Sequence, residues 1–275
     1  MPKLAVLDIG TNSIHMVLAE VQPDYTYKIL DRFKDMTRLG DGVFTSRRLS
    51  DQAMMRGLEV IRNLVTLARN KGYERIEGVA TSAVREARNG GEFLDHVAQQ
   101  TGLTVRVITG AEEARLIFLG VQNSVALPEP PTLVIDIGGG SVEVIVGNRE
   151  TIYQARSLKL GAIRLKDLYL TKTPPSKAML HELEEAVTGQ LKQALGTYKT
   201  KRVEQIIATS GMAGNLAEVI YLQRTGRPLQ QLNLTKISAK EIAAVEKRLA
   251  DATLKTRLAM PGLDPKRVDT LLPAT

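Results

Sequence analysis

Two segments of this chain repeat each other at one fixed distance, and that repeat constrains the fold more than any other feature. LAVLDIGTNSIHMVLAE near the N-terminus is echoed by TLVIDIGGGSVEVIVGN, so that Asp8 matches Asp136, Ile9 matches Ile137, Gly10 matches Gly138 and Ser13 matches Ser141, each pair 128 positions apart. The flanking apolar positions agree as well: Ile14, Met16 and Val17 answer to Val142, Val144 and Ile145. A second pair, GVATSA (78–83) and IIATSG (206–211), recurs at the same spacing, Ala80 to Ala208. One shared offset for two separate matches points to a duplicated unit.

Each half follows the same order. A strand, a Gly-rich turn and a second strand come first, as in Leu4–Asp8, Gly10–Ser13 and Ile14–Ala19. An amphipathic helix follows, with Met54, Leu58, Ile61, Leu64 and Ala68 at helical spacing in one half and Leu180, Leu183, Val187, Leu191 and Leu195 in the other. A basic linker then leads to a strand ending in Ala-Thr-Ser. The Gly-rich segments join strand to strand, so they are neither a P-loop nor a dinucleotide fingerprint, both of which open a helix. The Pro-rich stretch Leu127–Pro131 reads as the joint, giving domains 1–126 and 127–275. The expectation is an α/β chain of two similar domains facing one another across a central cleft. The stop at Leu271–Thr275, straight after an apparent strand, suggests a C-terminus that lacks a final helix.

Composition removes several classes. There is no cysteine, which excludes a disulfide scaffold, a thiol nucleophile and a thiolate metal site. The three histidines (His15, His96, His181) are too scattered for a His-rich metal centre. The four-residue apolar run before Asp8 is too short for a secretory signal, and no apolar stretch approaches the roughly 18 residues that span a bilayer. A cytoplasmic protein without a membrane partner is expected. The net charge of +7 favours an anionic partner.

The segment Asp136-Ile-Gly138-Gly139-Gly140-Ser141-Val-Glu143 carries the strongest chemistry. Three glycines in a hairpin let backbone N–H groups converge on an anion. Two carboxylates beside such a nest suit Mg²⁺ (or Mn²⁺), which shares oxygen ligands with substrate phosphates. The plainer alternative is a tight turn with a solvated Glu. The partner loop, Asp8-Ile-Gly10-Thr11-Asn12-Ser13, offers a second carboxylate and small polar groups, or else a turn that satisfies its own backbone. Thr109 as N-cap with Glu112 at N3 forms a T-x-x-E capping box, which gives Glu112 a structural role. Glu113, about 100° further round, has none; it is either a general base for water or a solvated first-turn Glu favoured by the helix dipole. Arg85 fits a phosphoryl group bidentately, or lies on the surface of the helix that follows. Thr209-Ser210-Gly211 could set backbone donors on another phosphate.

Basic residues cluster in two runs. Arg156, Lys159, Arg164, Lys166, Lys172 and Lys177 face a single acid, Asp167, and Lys192, Lys199, Lys201 and Arg202 face none. They read as a solvated face or as a track for a long polyanion. With no Trp and 4% aromatic content there is little to stack on bases, so nucleic acid is not expected.

Taken as a set, DIGTNSIHMV, ATSAVREA, GAEEARLIFLGV, VIDIGGGSVEVIVG and ATSG resemble the exopolyphosphatase/guanosine pentaphosphate phosphatase (Ppx/GppA) family of the actin-like ATPase superfamily, with ribonuclease H-like domains. The match runs in order from Leu4 to Gly211 and is weaker beyond, where PGLDPKRVDTLLPA is similar to the family's end-of-core segment. The resemblance implies that Glu113 is the catalytic base and Arg85 a phosphate-binding arginine. It implies that Asp136, Gly138, Ser141 and Glu143 form the metal and phosphate group, and that Asp8, Asn12 and Ser13 lie in the first phosphate loop. Long members add a His-Asp phosphohydrolase domain, for which this chain has neither a His-Asp dipeptide nor the length. The implied reaction is metal-assisted release of the terminal phosphate from polyphosphate or guanosine penta/tetraphosphate, with phosphates held between the two Gly loops. Family members are often dimers, so a homodimer is open. The competing readings are an ATP-dependent kinase of the same superfamily and a non-catalytic sensor of the same polyanions.

Overall fold

The computed structural model describes residues 2–24, 26–196 and 203–275, and it divides into two compact units, one ending at Gly110 and the other starting at Ala111. The first unit is built on strands β1 (Lys3–Ile9), β2 (Ile14–Val21), β3 (Tyr27–Asp35), β4 (Arg75–Ala80) and β5 (Val105–Val107) in the order β3-β2-β1-β4-β5. The β1–β2 and β2–β3 pairs are antiparallel, whereas β4 and β5 add in parallel. Alternation sets the faces: Ala5, Leu7 and Ile9 on β1 and Ile14, Met16 and Leu18 on β2 are buried, so Asp8 lies on the opposite face from these residues.

Four helices complete this unit: α1 (Val43–Ser46), α2 (Asp51–Asn70), α3 (Ser82–Glu86) and α4 (Gly90–Thr101). The Ser50 hydroxyl caps α2 by accepting from the Ala53 N–H at 3.2 Å. Its buried stripe is Ala53, Gly57, Ile61, Val65 and Ala68, with Met54, Leu58 and Leu64 half-buried beside it. The stripe is thus turned toward the small residues, because Gly57 lets the Phe93 ring of α4 approach closely.

The second unit repeats the pattern with β6 (Thr132–Ile137), β7 (Val142–Gly147), β8 (Ile152–Leu158) and β9 (Gln205–Thr209) in the order β8-β7-β6-β9. Its glycine turn matches the first at the level of single bonds: Gly138 N–H donates to Ser141 O at 3.0 Å, as Gly10 N–H does to Ser13 O at 3.1 Å. The parallel strand is set differently, with Ile9 opposite Ala80 but Ile135 opposite Ala208. Relative to the sequence repeat that is a slip of two residues, an even number, so every side chain keeps its face.

All six residues of β7 are buried, which means both faces of the sheet are covered. Helix α5 (Gly110–Ser124) packs Ala114, Phe118 and Val121 on Val134 and Ile145. The other face meets α6 (Ala162–Tyr169) and α7 (Lys177–Leu195), where Leu183, Val187, Leu191 and Leu195 cover Val142 and Val144. Helices α8 (Ser210–Thr225) and α9 (Ala239–Asp251) gather a further core around Val219, Leu249 and Leu271, and α10 (Leu254–Leu258) follows α9.

The Pro-rich stretch Leu127–Pro131 lies inside the second compact unit, between α5 and β6, because α5 buries its apolar stripe on β6 and β7. The strand expected just before the stop at Leu271–Thr275 is absent from the described residues, which corrects that expectation: Pro265–Arg267 and Leu272–Ala274 form 3₁₀ turns, and Leu271 and Leu272 are buried in the α8–α9 core. No helix among the described residues is long and apolar enough to cross a membrane.

Candidate active site

The strand registers of the second unit place four polar side chains in one row across the sheet. Asp136 on β6 stands opposite Glu143 on β7, Glu143 opposite Ser157 on β8, and Asp136 beside Thr209 on β9. By alternation Val134, Asp136, Glu143 and Ile145 share the face that α5 covers, and Glu113 lies in the first turn of α5. Three carboxylates therefore meet over an otherwise apolar layer.

Burial raises the carboxyls of two of them, Asp136 and Glu143. Glu143 is 1% exposed. Its carboxyl is pushed up to about 8, first by burial, then by the Glu113 charge and to a smaller extent by Asp136, against the hydroxyls of Ser157 and Ser141. Ser157 Oγ donates to Glu143 Oε1 at 2.7 Å. Asp136 is also raised by burial, and the Thr209 hydroxyl, which donates to Asp136 Oδ2, opposes the rise. Carboxyls held in this way ionise most readily when a cation sits beside them. Among the described residues no three His, Cys, Asp or Glu side chains form a metal cage. The pair Asp136 and Glu143 fits an ion that completes its shell with water and phosphate oxygens, as Mg²⁺ does.

The glycine turn next to the pair owes its shape to α6. The carbonyl of Gly138 accepts from Ala162 N–H at 2.9 Å, that of Gly139 from Ile163 N–H at 2.8 Å, and that of Gly140 from Arg164 Nε at 2.7 Å. A trans peptide holds its N–H opposite its C=O. Pinning these three carbonyls to α6 thus turns the N–H groups of Gly139, Gly140 and Ser141 the other way, as an anion-binding nest. Gly161 makes this approach possible: a Cβ there would lie 2.3 Å from the Gly140 backbone. Arg164 is 5% exposed and belongs to the support of the turn, which corrects its assignment to a solvated face or polyanion track. Of the second basic run, Lys199, Lys201 and Arg202 lie outside the described residues.

At the end of β9, Ser210 sits at φ 90°, a conformation that side chains other than glycine rarely hold. Its hydroxyl donates to Ile137 O at 2.7 Å and accepts from Met212 N–H at 3.1 Å, so the side chain is occupied and only the helix start is left to meet a ligand. A Cβ on Gly211 would meet the Arg267 guanidinium at 2.6 Å; Arg267 is itself fixed by Asp264 at 3.1 Å.

In the first unit, Asp8 stands opposite His15 and His15 opposite Lys34. His15 Nε2 shares a 2.8 Å hydrogen bond with Ser13 Oγ. Thr11 is structural: its carbonyl accepts from Gly40 N–H at 2.8 Å and its hydroxyl from Ala83 N–H at 3.2 Å. Asn12 O accepts from Arg38 N–H at 2.9 Å, whereas Asn12 Oδ1 is buried with no hydrogen-bond partner among the described residues. Arg85 lies on α3, where Nη1 donates to Ile108 O at 2.8 Å. The structure thus brings Asp136, Glu143, Glu113 and Gly138–Ser141 together in one unit, with Ser210 and Gly211 at the end of the neighbouring strand. Asp8, Gly10, Asn12, Ser13 and Arg85 lie in the other. Sequence reasoning missed Ser157 and Gly161, and read Arg164 only as part of a basic run. Ser157 could have been found by counting strand alternation through the β7–β8 hairpin.

A model of the Ppx/GppA phosphatase family matches residues 7–275 of this chain. The chain belongs to the Ppx/GppA phosphatase family. This Ppx/GppA member is similar to Exopolyphosphatase 2 of Mycobacterium tuberculosis, with 29% identity over 281 residues, covering 98% of this chain and 87% of that protein. The crystal structure of an exopolyphosphatase from Cytophaga hutchinsonii shares 30% identity and superposes with a TM-score of 0.86, over 99% of this chain and 87% of that one. The Ppx/GppA member from Aquifex aeolicus shares 26% identity with a TM-score of 0.76, again over 99% and 87%. The repeated α/β architecture is therefore that of the Ppx/GppA exopolyphosphatases along nearly the whole chain.

Proposed function

We propose that this chain is a phosphohydrolase that removes the terminal phosphate of inorganic polyphosphate. The observation that carries the reading is the meeting of Glu113 with the buried Asp136–Glu143 pair beside the nest of Gly139, Gly140 and Ser141. In this reading Glu113 accepts a proton from water as the water oxygen bonds to the terminal phosphorus. The phosphoanhydride bond breaks, and the leaving oxygen departs on the shortened chain. The nest N–H groups hold phosphoryl oxygens and gain strength as charge develops there. Mg²⁺ or Mn²⁺ held by Asp136 and Glu143 would supply charge neutralisation at those oxygens. Arg85, Asp8, Gly10, Asn12, Ser13 and the helix start at Ser210–Gly211 are assigned to phosphate binding on the resemblance to the family. Guanosine pentaphosphate presents the same terminal anhydride and belongs to the same proposal as a second substrate.

The test is phosphate release from long-chain polyphosphate and from guanosine pentaphosphate, side by side, with Mg²⁺ and with chelator. Metal-dependent release from polyphosphate supports the reading, and release from the guanosine compound extends it. A folded protein that binds both and releases phosphate from neither would overturn it in favour of a sensor.

A further inference from the structure

The basic run between Gln154 and Lys177 does not act as one surface. Arg164 is buried under the glycine turn, whereas Lys166 and Lys172 meet Arg257, distant in sequence, around a cavity of about 200 Å³. Thr173 and Asp269 also line it, and none of these residues belongs to the carboxylate row or the glycine turn.

Arg257 is 2% exposed. Its Nε donates to Leu249 O at 3.0 Å and its Nη1 to Val268 O at 3.2 Å, but Nη2 is buried with no hydrogen-bond partner among the described residues. Burial pulls its guanidinium below the usual arginine range, and Asp269 offsets part of that. Leaving a buried charged donor without an acceptor is unfavourable. Asp269 is already shared: Lys166 Nζ lies 3.6 Å from it and 3.0 Å from Asp167. Lys172 forms no ion pair among the described residues. The cavity is lined by three cations, Lys166, Lys172 and Arg257, against one carboxylate, Asp269, and Arg257 Nη2 has no acceptor.

We propose that this cavity is a second oxyanion site, taking a phosphate group on Arg257 Nη2, Lys172 and the Thr173 hydroxyl. A planar guanidinium N–H fits a phosphate oxygen directionally, and an ammonium adds charge without fixing the angle. The phosphate could come from free inorganic phosphate or from an inner residue of a polyphosphate chain. The site goes beyond the catalytic reading and does not depend on it.

Amide NMR spectra of the full chain, titrated with inorganic phosphate against chloride at matched ionic strength, test it. The amides of Leu170–Thr173 and Asp269–Leu272 should shift and saturate, and Lys172→Glu should weaken that saturation about tenfold or more. Arg257→Lys keeps the charge but removes Nη2, and it should do the same with the thermal transition checked separately. The Gly139–Ser141 amides report the catalytic reading in the same spectra, so either can fail alone. Repeating the titration with long-chain polyphosphate under chelator separates the sources: tighter saturation of the same amides assigns the pocket to a chain, and no gain assigns it to the free ion. Pocket amides that move no more than in chloride, or that respond identically in Lys172→Glu, would overturn the proposal.

Discussion

Glu143 is the one charged residue in the β7 run Val-Glu-Val-Ile-Val-Gly, and every residue of that run is buried. Its carboxyl is held up to about 8 by burial first and the Glu113 charge second. A carboxyl raised above its unfolded value binds a proton more tightly in the folded chain. Folding stability from this group is therefore present at low pH and falls as pH rises from about 4.5 toward 8. Without divalent metal, Glu143→Gln should unfold at higher denaturant than the parent at pH 8–9, by on the order of a few kcal/mol, and the gap should close near pH 4–5. Parallel pH profiles of the two proteins would contradict the account. The carboxylate pair itself was legible in the sequence, because Asp136 and Glu143 flank three glycines. Ser157 and Thr209 were not, because their roles follow from strand register, which a linear motif does not carry.

At the scale of elements, α6 and the glycine turn form one device. The turn's carbonyls are donated to by the α6 start, and Gly161 lets the two backbones meet. Gly161→Ala places a Cβ 2.3 Å from Gly140 backbone atoms, so helix or turn must move. The variant should lose about 1–3 kcal/mol of stability, read from denaturant midpoints, and lose phosphate release more steeply than its folded fraction. Unchanged release would detach the turn from the chemistry. The strands and turns of both repeats were readable from alternation and glycine placement. Gly161 was not, since nothing in the run Leu-Lys-Leu-Gly-Ala announces a backbone contact made across the fold. The packing partner of α5 was not legible for a related reason: prolines mark a local break, whereas the partner of a helix is set by which sheet its apolar stripe covers.

For the whole molecule, the duplication kept the scaffold and changed the chemistry. The row Lys34–His15–Asp8 in the first sheet corresponds to Ser157–Glu143–Asp136 in the second, and of these two rows the second alone joins two carboxylates. A chain of net charge +7 acting on a long polyanion should bind by releasing counterions. Raising monovalent salt from about 50 to 200 mM should therefore raise KM for long-chain polyphosphate about tenfold, with a much smaller change for a short oligophosphate. Equal salt sensitivity for both lengths would place binding at the terminal phosphates alone.

The role proposed for Glu113, beside the buried Asp136–Glu143 pair, is to deprotonate water. Its most direct test is the single-turnover rate of phosphate release from polyphosphate in Mg²⁺ for the parent and for Glu113→Gln, both shown to be folded and to bind substrate. The account predicts a rate lower by about 10²–10⁴-fold with little change in binding. A variant that releases phosphate at the parental rate would contradict it.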